Sequence, residues 1–153
     1  TPAPIAYREV RYLGILRESA YACKASECSH TFNELIGNPQ FPNRSTILQA
    51  IGRFTALLHQ RGVLHKDYSG GNILFTTDGS RIEIVDLNRI RFCHGISMNQ
   101  GLRNFERLNI DREALTIIAK AYAQAMGYDP DYCSQYIIQH RWHKHIKQGI
   151  THL

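Results

Sequence analysis

Two short apolar runs separated by an Asp-Gly pair constrain this chain more than any other feature. Asn72-Ile73-Leu74-Phe75 and Ile82-Glu83-Ile84-Val85 each read as a strand, with Thr76-Thr77-Asp78-Gly79-Ser80 between them. Asp-Gly favours a tight turn, so the runs are predicted to pair as a hairpin centred near Gly79. Such a hairpin carries Asn72 and Asp86 to matching open ends. An amide oxygen and a carboxylate remote in sequence are then side by side, a donor set suited to Mg²⁺.

The stretch leading into the first strand supplies the chemistry at that end. His65-Lys66-Asp67-Tyr68-Ser69-Gly70-Gly71-Asn72 has the form His-x-Asp-x-x-x-x-Asn. Phosphoryl transfer needs one carboxylate to orient and deprotonate a hydroxyl. It also needs an amide oxygen and a second carboxylate to hold the metals that neutralise a triphosphate. Asp67 is the candidate base, and Asn72 and Asp86 are the candidate metal ligands. Taken singly, Asp67 could cap the loop, Asn72 could stabilise a turn, and His65 could be a buried histidine bonded to backbone. The ensemble of loop, hairpin and terminal Asp favours a metal-nucleotide site, with His65 supporting the loop instead of touching substrate.

The flanks supply a scaffold. Ser45 is read as the N-cap of a helix from Thr46 to about Arg61, with Ile47, Ile51, Phe54 and Leu58 at helical spacing and Leu48 and Leu57 widening the apolar face. Gly62 stands where a left-handed residue ends such a helix. Two more helices are expected between Ser97 and Met126. The first includes Leu102, Phe105 and Leu108; the second starts near Asp111 and buries Leu115, Ile118, Ala119 and Tyr122. Gly127 is expected to end it, and Asp129-Pro130 to open a last helical region.

At His65–Phe75 (HKDYSGGNILF), Ile84–Phe92 (IVDLNRIRF) and Ser97–Leu108 (SMNQGLRNFERL), the chain resembles the C-terminal lobe of the protein-kinase-like fold. Within that superfamily it is most similar to the lipopolysaccharide kinases, which phosphorylate Kdo or heptose sugars of the inner core. Pro4-Ile5-Ala6-Tyr7 and Ser19-Ala20-Tyr21 also resemble that family's strands before the hinge. The resemblance implies an α+β fold, mostly helical with a catalytic β-hairpin. It implies ATP and Mg²⁺ as cofactors, Asp67 as catalytic base, and Asn72 and Asp86 as metal ligands. Ala25, Ser26 and Glu27 fall where the hinge would present backbone groups to adenine. Departures from ordinary protein kinases narrow the acceptor. The loop has Ser69 where a Lys or Arg usually steadies the phosphate, Asp86-Leu87-Asn88 replaces Asp-Phe-Gly, and no Ala-Pro-Glu follows. A long activation segment with a peptide platform is therefore not expected, and a small or lipid-linked sugar hydroxyl gains ground.

The 153 residues suffice for one domain with a core but are short for a complete bilobal kinase. No Gly-x-Gly-x-x-Gly precedes a strand, and Gly14 stands alone in Tyr12-Leu13-Gly14-Ile15. Lys24, in Tyr21-Ala22-Cys23-Lys24, echoes a nucleotide lysine, but too few residues separate it from His65 for a regulatory helix, further strands and a hinge. Residues 1–24 are therefore read as remnant strands of an N-terminal lobe that is largely missing, and residues 25–153 as the C-terminal catalytic lobe. The chain does not begin with Met, so it is read as a piece of a longer protein and expected to be inactive alone.

Composition is that of an ordinary globular domain, with 43% hydrophobic and 20% charged residues and no run of membrane-span length. Cys23, Cys28, Cys93 and Cys133 show no Cys-x-x-Cys spacing, which points to idle thiols in a reducing cytoplasm. Net charge is +5, much of it in Arg89, Arg91, Arg103, Arg107 and the tail from His140 to Lys147. That tail is read first as a terminal helix packing Ile137, Ile138, Trp142 and Ile146, and second as a peripheral contact with an anionic membrane surface. His140, His143 and His145 lack acidic or Cys partners at ligand spacing, and no nucleic-acid motif is present. Three functions stay open: a sugar kinase of lipopolysaccharide, a pseudokinase or binding module, and a phosphotransferase for small molecules such as aminoglycosides or choline.

Overall fold

The computed structural model describes the backbone of residues 1–150 and the side chains of residues 1–140. The architecture is α+β. Strands β1 (Pro4–Tyr12) and β2 (Ile15–Cys23) form an antiparallel ribbon, closed by Leu13 and Gly14, both at positive φ. Ile5, Tyr7, Ile15 and Tyr21 on this ribbon are exposed. Then follow β3 (His30–Thr31), α1 (Phe32–Gly37), α2 (Arg44–Gln60), β4 (Val63–His65), β5 (Ile73–Phe75), β6 (Ile82–Ile84), β7 (Ile90–Phe92), α3 (Met98–Arg103), α4 (Arg112–Met126) and α5 (Pro130–Ile150). The short strands make two small sheets, ordered β3-β5-β6 and β4-β7, with all pairs antiparallel.

Helix α2 starts earlier than its sequence suggests. Asn43, at φ 57°, is the N-cap, and Ser45 lies inside the first turn. The physical reason is the turn at Phe41-Pro42-Asn43: Asn tolerates the left-handed region, and its carbonyl already accepts from Ile47 N at 3.0 Å. The Arg44 guanidinium then ties this helix start to Asp111 and to the Leu35 carbonyl. Ile47, Leu48 and Ile51 are buried and Phe54 and Leu58 partly so, as the spacing predicts, but Leu57 is exposed.

Helix α4 packs along α2 and follows its sequence closely. Asp111 is its N-cap, accepting from Ala114 N at 2.8 Å, and Gly127, at φ 74°, ends it. Leu115, Ile118, Ala119 and Tyr122 are all buried against α2. Ile137 of α5 is buried and Ile138 packs on the same core. Trp142, His143, His145 and Ile146, on which the alternative readings of the tail turn, lie outside the described side chains. No helix among the described residues is long and apolar enough to cross a membrane.

Candidate active site

The site begins where α2 ends. Gly62 takes φ +72°, and a Cβ there would stand 2.1 Å from the Cys93 carbonyl oxygen, so only glycine fits. This lets the chain reverse into β4, with Cys93 N bonded to Gly62 O at 2.7 Å. β4 delivers His65, which is 1% exposed. The His65 Nε2–H donates to the Val85 carbonyl at 3.1 Å, and Nδ1 accepts from Asp67 N at 3.2 Å. One ring thus joins the loop to the far strand of the hairpin, the supporting role its sequence position suggests.

The loop closes around the Asp67 carbonyl. That oxygen accepts from Ser69 N and from Asn72 Nδ2, both at 2.9 Å. Below it, Tyr68 is fully buried, and its hydroxyl meets Thr55 Oγ1 of α2 at 2.6 Å. Thr55 Oγ1 in turn donates to the Ile51 carbonyl, so the Tyr68 hydroxyl is the donor to Thr55. Burial pushes the Tyr68 phenol well above its ordinary range. The arrangement is asymmetric. Tyr68→Phe removes a donor and leaves Thr55 bonded to Ile51, and should cost about 1 kcal/mol; Thr55→Val strands a buried phenol and should cost up to about 3 kcal/mol. Urea melts of the two variants check that order, and the reverse order would contradict the donor assignment.

The hairpin forms about the expected turn, with Gly79 at φ +72° and Gly79 N bonded to Thr76 O at 2.8 Å. Its register pairs Ile73 with Ile84, and Val85 N donates to Asn72 O at 3.0 Å. Val85, not Asp86, therefore stands directly opposite Asn72, and Asp86 follows one Cα step of about 3.8 Å beyond. Asp86 also leaves the strand: its backbone is left-handed at φ 55° and ψ 63°, so alternation along the strand no longer dictates where its side chain goes. The backbones of Asn72 and Asp86 thus lie at the same open end of the hairpin.

These residues fit a hard divalent cation. Asn72 spends its amide nitrogen on the loop carbonyl, which leaves Oδ1 as acceptor. Asp86 is exposed, its Oδ1 accepting from Asn88 Nδ2 at 3.2 Å. One carboxylate and one amide oxygen, with room for water, make a donor set that suits Mg²⁺. Among the described residues no group of three or more His, Cys, Asp or Glu converges on a metal position.

A cation that sequence reading did not assign completes the site. Arg107 Nη1 lies 2.6 Å from Asp67 Oδ1. A 3-10 turn, Asn104–Arg107, carries it: Phe105 and Leu108, three apart and on one face of such a turn, are fully buried, and Arg107 is left on the outside. Phe105 packs edge-on between Tyr68 and Tyr122, with centroids 6.2 and 5.3 Å away. The spacing of Leu102, Phe105 and Leu108 was a signal for this frame, but the ion pair it sets up crosses forty residues and leaves no local trace.

Ala25, Ser26 and Glu27 lie in the irregular segment after β2. Ser26 Oγ donates to Glu83 Oε2 at 2.7 Å, and the Glu27 carboxylate accepts from Arg81 Nη1 at 2.6 Å. Glu83 is 3% exposed and also accepts from Arg81 Nε at 3.1 Å. Burial alone would raise the Glu83 pKa, but the Ser26 hydroxyl and the Arg81 guanidinium outweigh it and hold the carboxyl below its usual range. The segment is thereby clamped to β6. A cleft of about 520 Å³ is lined by Thr1 and Pro2, by Tyr21 and Cys23 of β2, and by residues 85–88. Asp86 borders it; Ala25, Ser26 and Glu27 do not line it.

Residues 24–126 match the model of the lipopolysaccharide kinase (Kdo/WaaP) family. No curated protein sequence matches the chain. The matched span runs from the end of β2 to the end of α4, and so contains the loop, the hairpin, Asp86 and the Arg107 turn. With well over half of its residues in that match, the chain belongs to the lipopolysaccharide kinase family.

Proposed function

We propose that this chain is the catalytic lobe of an ATP-dependent kinase that phosphorylates a sugar hydroxyl of a lipopolysaccharide inner-core precursor, on Kdo or heptose. The reading is supported by a loop in which Asn72 is bonded to the Asp67 carbonyl and a hairpin that brings the backbone of Asp86 to the same end, in a chain of this family. Asp67 orients the acceptor hydroxyl and takes its proton as the new bond forms. Asn72 Oδ1 and the Asp86 carboxylate would hold Mg²⁺, which would supply charge neutralisation for the triphosphate of ATP. The cleft beside Asp86 would take the metal-bound phosphates; the segment Ala25-Ser26-Glu27, which does not line that cleft, is read as a hinge for adenine from the family resemblance alone. The acceptor is lipid-linked or a small sugar, met at the cytoplasmic face of a membrane.

Calorimetry tests the nucleotide half of this reading. ATP should bind the full-length protein in the presence of Mg²⁺ and much more weakly in EDTA. Asp86→Ala should weaken Mg-dependent binding by about 10- to 100-fold, the loss of one charged contact. Binding that ignores both Mg²⁺ and Asp86 would favour a scaffold without catalysis. Labelled ATP with a panel of Kdo-bearing lipopolysaccharide, heptose-bearing lipopolysaccharide, choline and an aminoglycoside decides the acceptor; transfer to either of the last two alone would replace the sugar assignment.

A further inference from the structure

We propose that Arg107 is a positioning residue for phosphate transfer, holding Asp67 by one carboxylate oxygen so that the other meets the acceptor hydroxyl. The proposal rests on the reading of Asp67 as the reacting acid. The contact itself is short, 2.6 Å from Arg107 Nη1 to Asp67 Oδ1. Among the described residues, Asp67 Oδ2 makes no hydrogen bond, so the carboxylate is fixed at one oxygen and open at the other. The catalytic loop offers no such cation two residues after Asp67, where Ser69 stands.

Stability does not account for the pair. The two side chains are 53% and 31% exposed, and ion pairs that open to water add little to folding. The turn that presents Arg107 is held by Phe105 and Leu108, not by its guanidinium. Arg107 also borders a groove of about 290 Å³, shared with Lys66, Gln100, Arg103 and Asn104. Arg107 thus both pairs with the acid and borders this groove, which Asp67 itself does not line, and its guanidinium has further N–H donors beyond the one spent on Asp67. In a loose phosphoryl transition state the protein contributes chiefly by aligning the nucleophile. The effect belongs in kcat.

The test uses the full-length protein, labelled ATP, and Kdo-bearing and heptose-bearing lipopolysaccharide as probes. Arg107→Ala should lower kcat by about 10²-fold, with KM for ATP and the melting temperature close to wild type. Arg107→Lys should keep part of the rate, and millimolar guanidinium should restore part of it to the alanine variant. Wild-type kcat in Arg107→Ala, while Asp67→Ala is inactive, overturns this proposal alone. So does a rise in acceptor KM at unchanged kcat, which would make Arg107 an anchor for substrate, or a lowered melting temperature without rescue. Transfer that survives Asp67→Ala, or a wild-type protein that transfers no phosphate, removes the underlying reading and this proposal with it.

Discussion

Replacing Asp67 with alanine is expected to cut phosphate transfer by about 10²- to 10⁴-fold, the usual share of a positioned general base. Nucleotide affinity should hardly change. Asn72 and Asp86 stand across the open end of the hairpin, whereas Asp67 contributes its carbonyl, not its carboxylate, to the bonds that close the loop. Both of those bonds survive truncation of the side chain. Asp67 is also only half-buried and its ionic partner Arg107 is exposed, so the variant should fold. Initial rates with labelled ATP, set beside calorimetric ATP affinity, separate the two expectations. Full turnover in the variant would remove Asp67 from the mechanism. A joint loss of turnover and nucleotide affinity would mean that the carboxylate shapes the nucleotide site instead.

The largest loss of stability is expected at Gly52. This residue lies in α2 where α4 crosses it, and a Cβ there would stand 2.5 Å from the Ile118 carbonyl oxygen and 3.0 Å from Ala121 Cβ. The first obstacle is helical backbone, which cannot rotate aside as a side chain can. Gly52→Val would have to push α2 off α4 along a face that includes Ile51, Ile118 and Tyr122, all fully buried. A cost of about 3 kcal/mol or more is expected, against a total stability of about 5–15 kcal/mol for such domains. For a chain of this size that lowers the melting temperature by about 10 °C. Gly95→Ala is the matched control, since a Cβ there meets nothing within 4 Å. Equal melting temperatures for the two variants would show that the helices separate at little cost.

What the sequence discloses follows the range of the interaction that makes each feature. The hairpin, the left-handed Gly62 and the Asp111 cap depend on neighbours within a few residues and were legible; Leu102, Phe105 and Leu108 are buried as expected, but the one helix expected to hold them ends at Arg103 and gives way to a 3-10 turn. The start of α2 was misread because a left-handed Asn43 competes with an ordinary serine cap. Helix α1 and strands β3 and β7 have between two and six residues each. They are stabilised by what they pair with, so periodicity cannot reveal them. The register of the hairpin was legible to within one residue, since a turn's length is easier to infer than its closing pair. Glu83 looks like a misplaced charge within an apolar strand until Ser26 and Arg81 are brought to it by the fold. Arg107 could be seen as part of a basic surface, but not as the partner of Asp67.

The ladder between β4 and β7 carries one more consequence. Val63, Leu64 and His65 pair with Phe92, Arg91 and Ile90, and Lys66 N adds a bond to Arg89 O at 2.9 Å. The few residues following Asp86 are thus stitched at once to the strand that delivers His65 and Asp67. Enzymes that are switched by ordering a long segment at this point need that segment loose beforehand. Here it is already zipped in place by backbone hydrogen bonds, so this segment has little order left to gain.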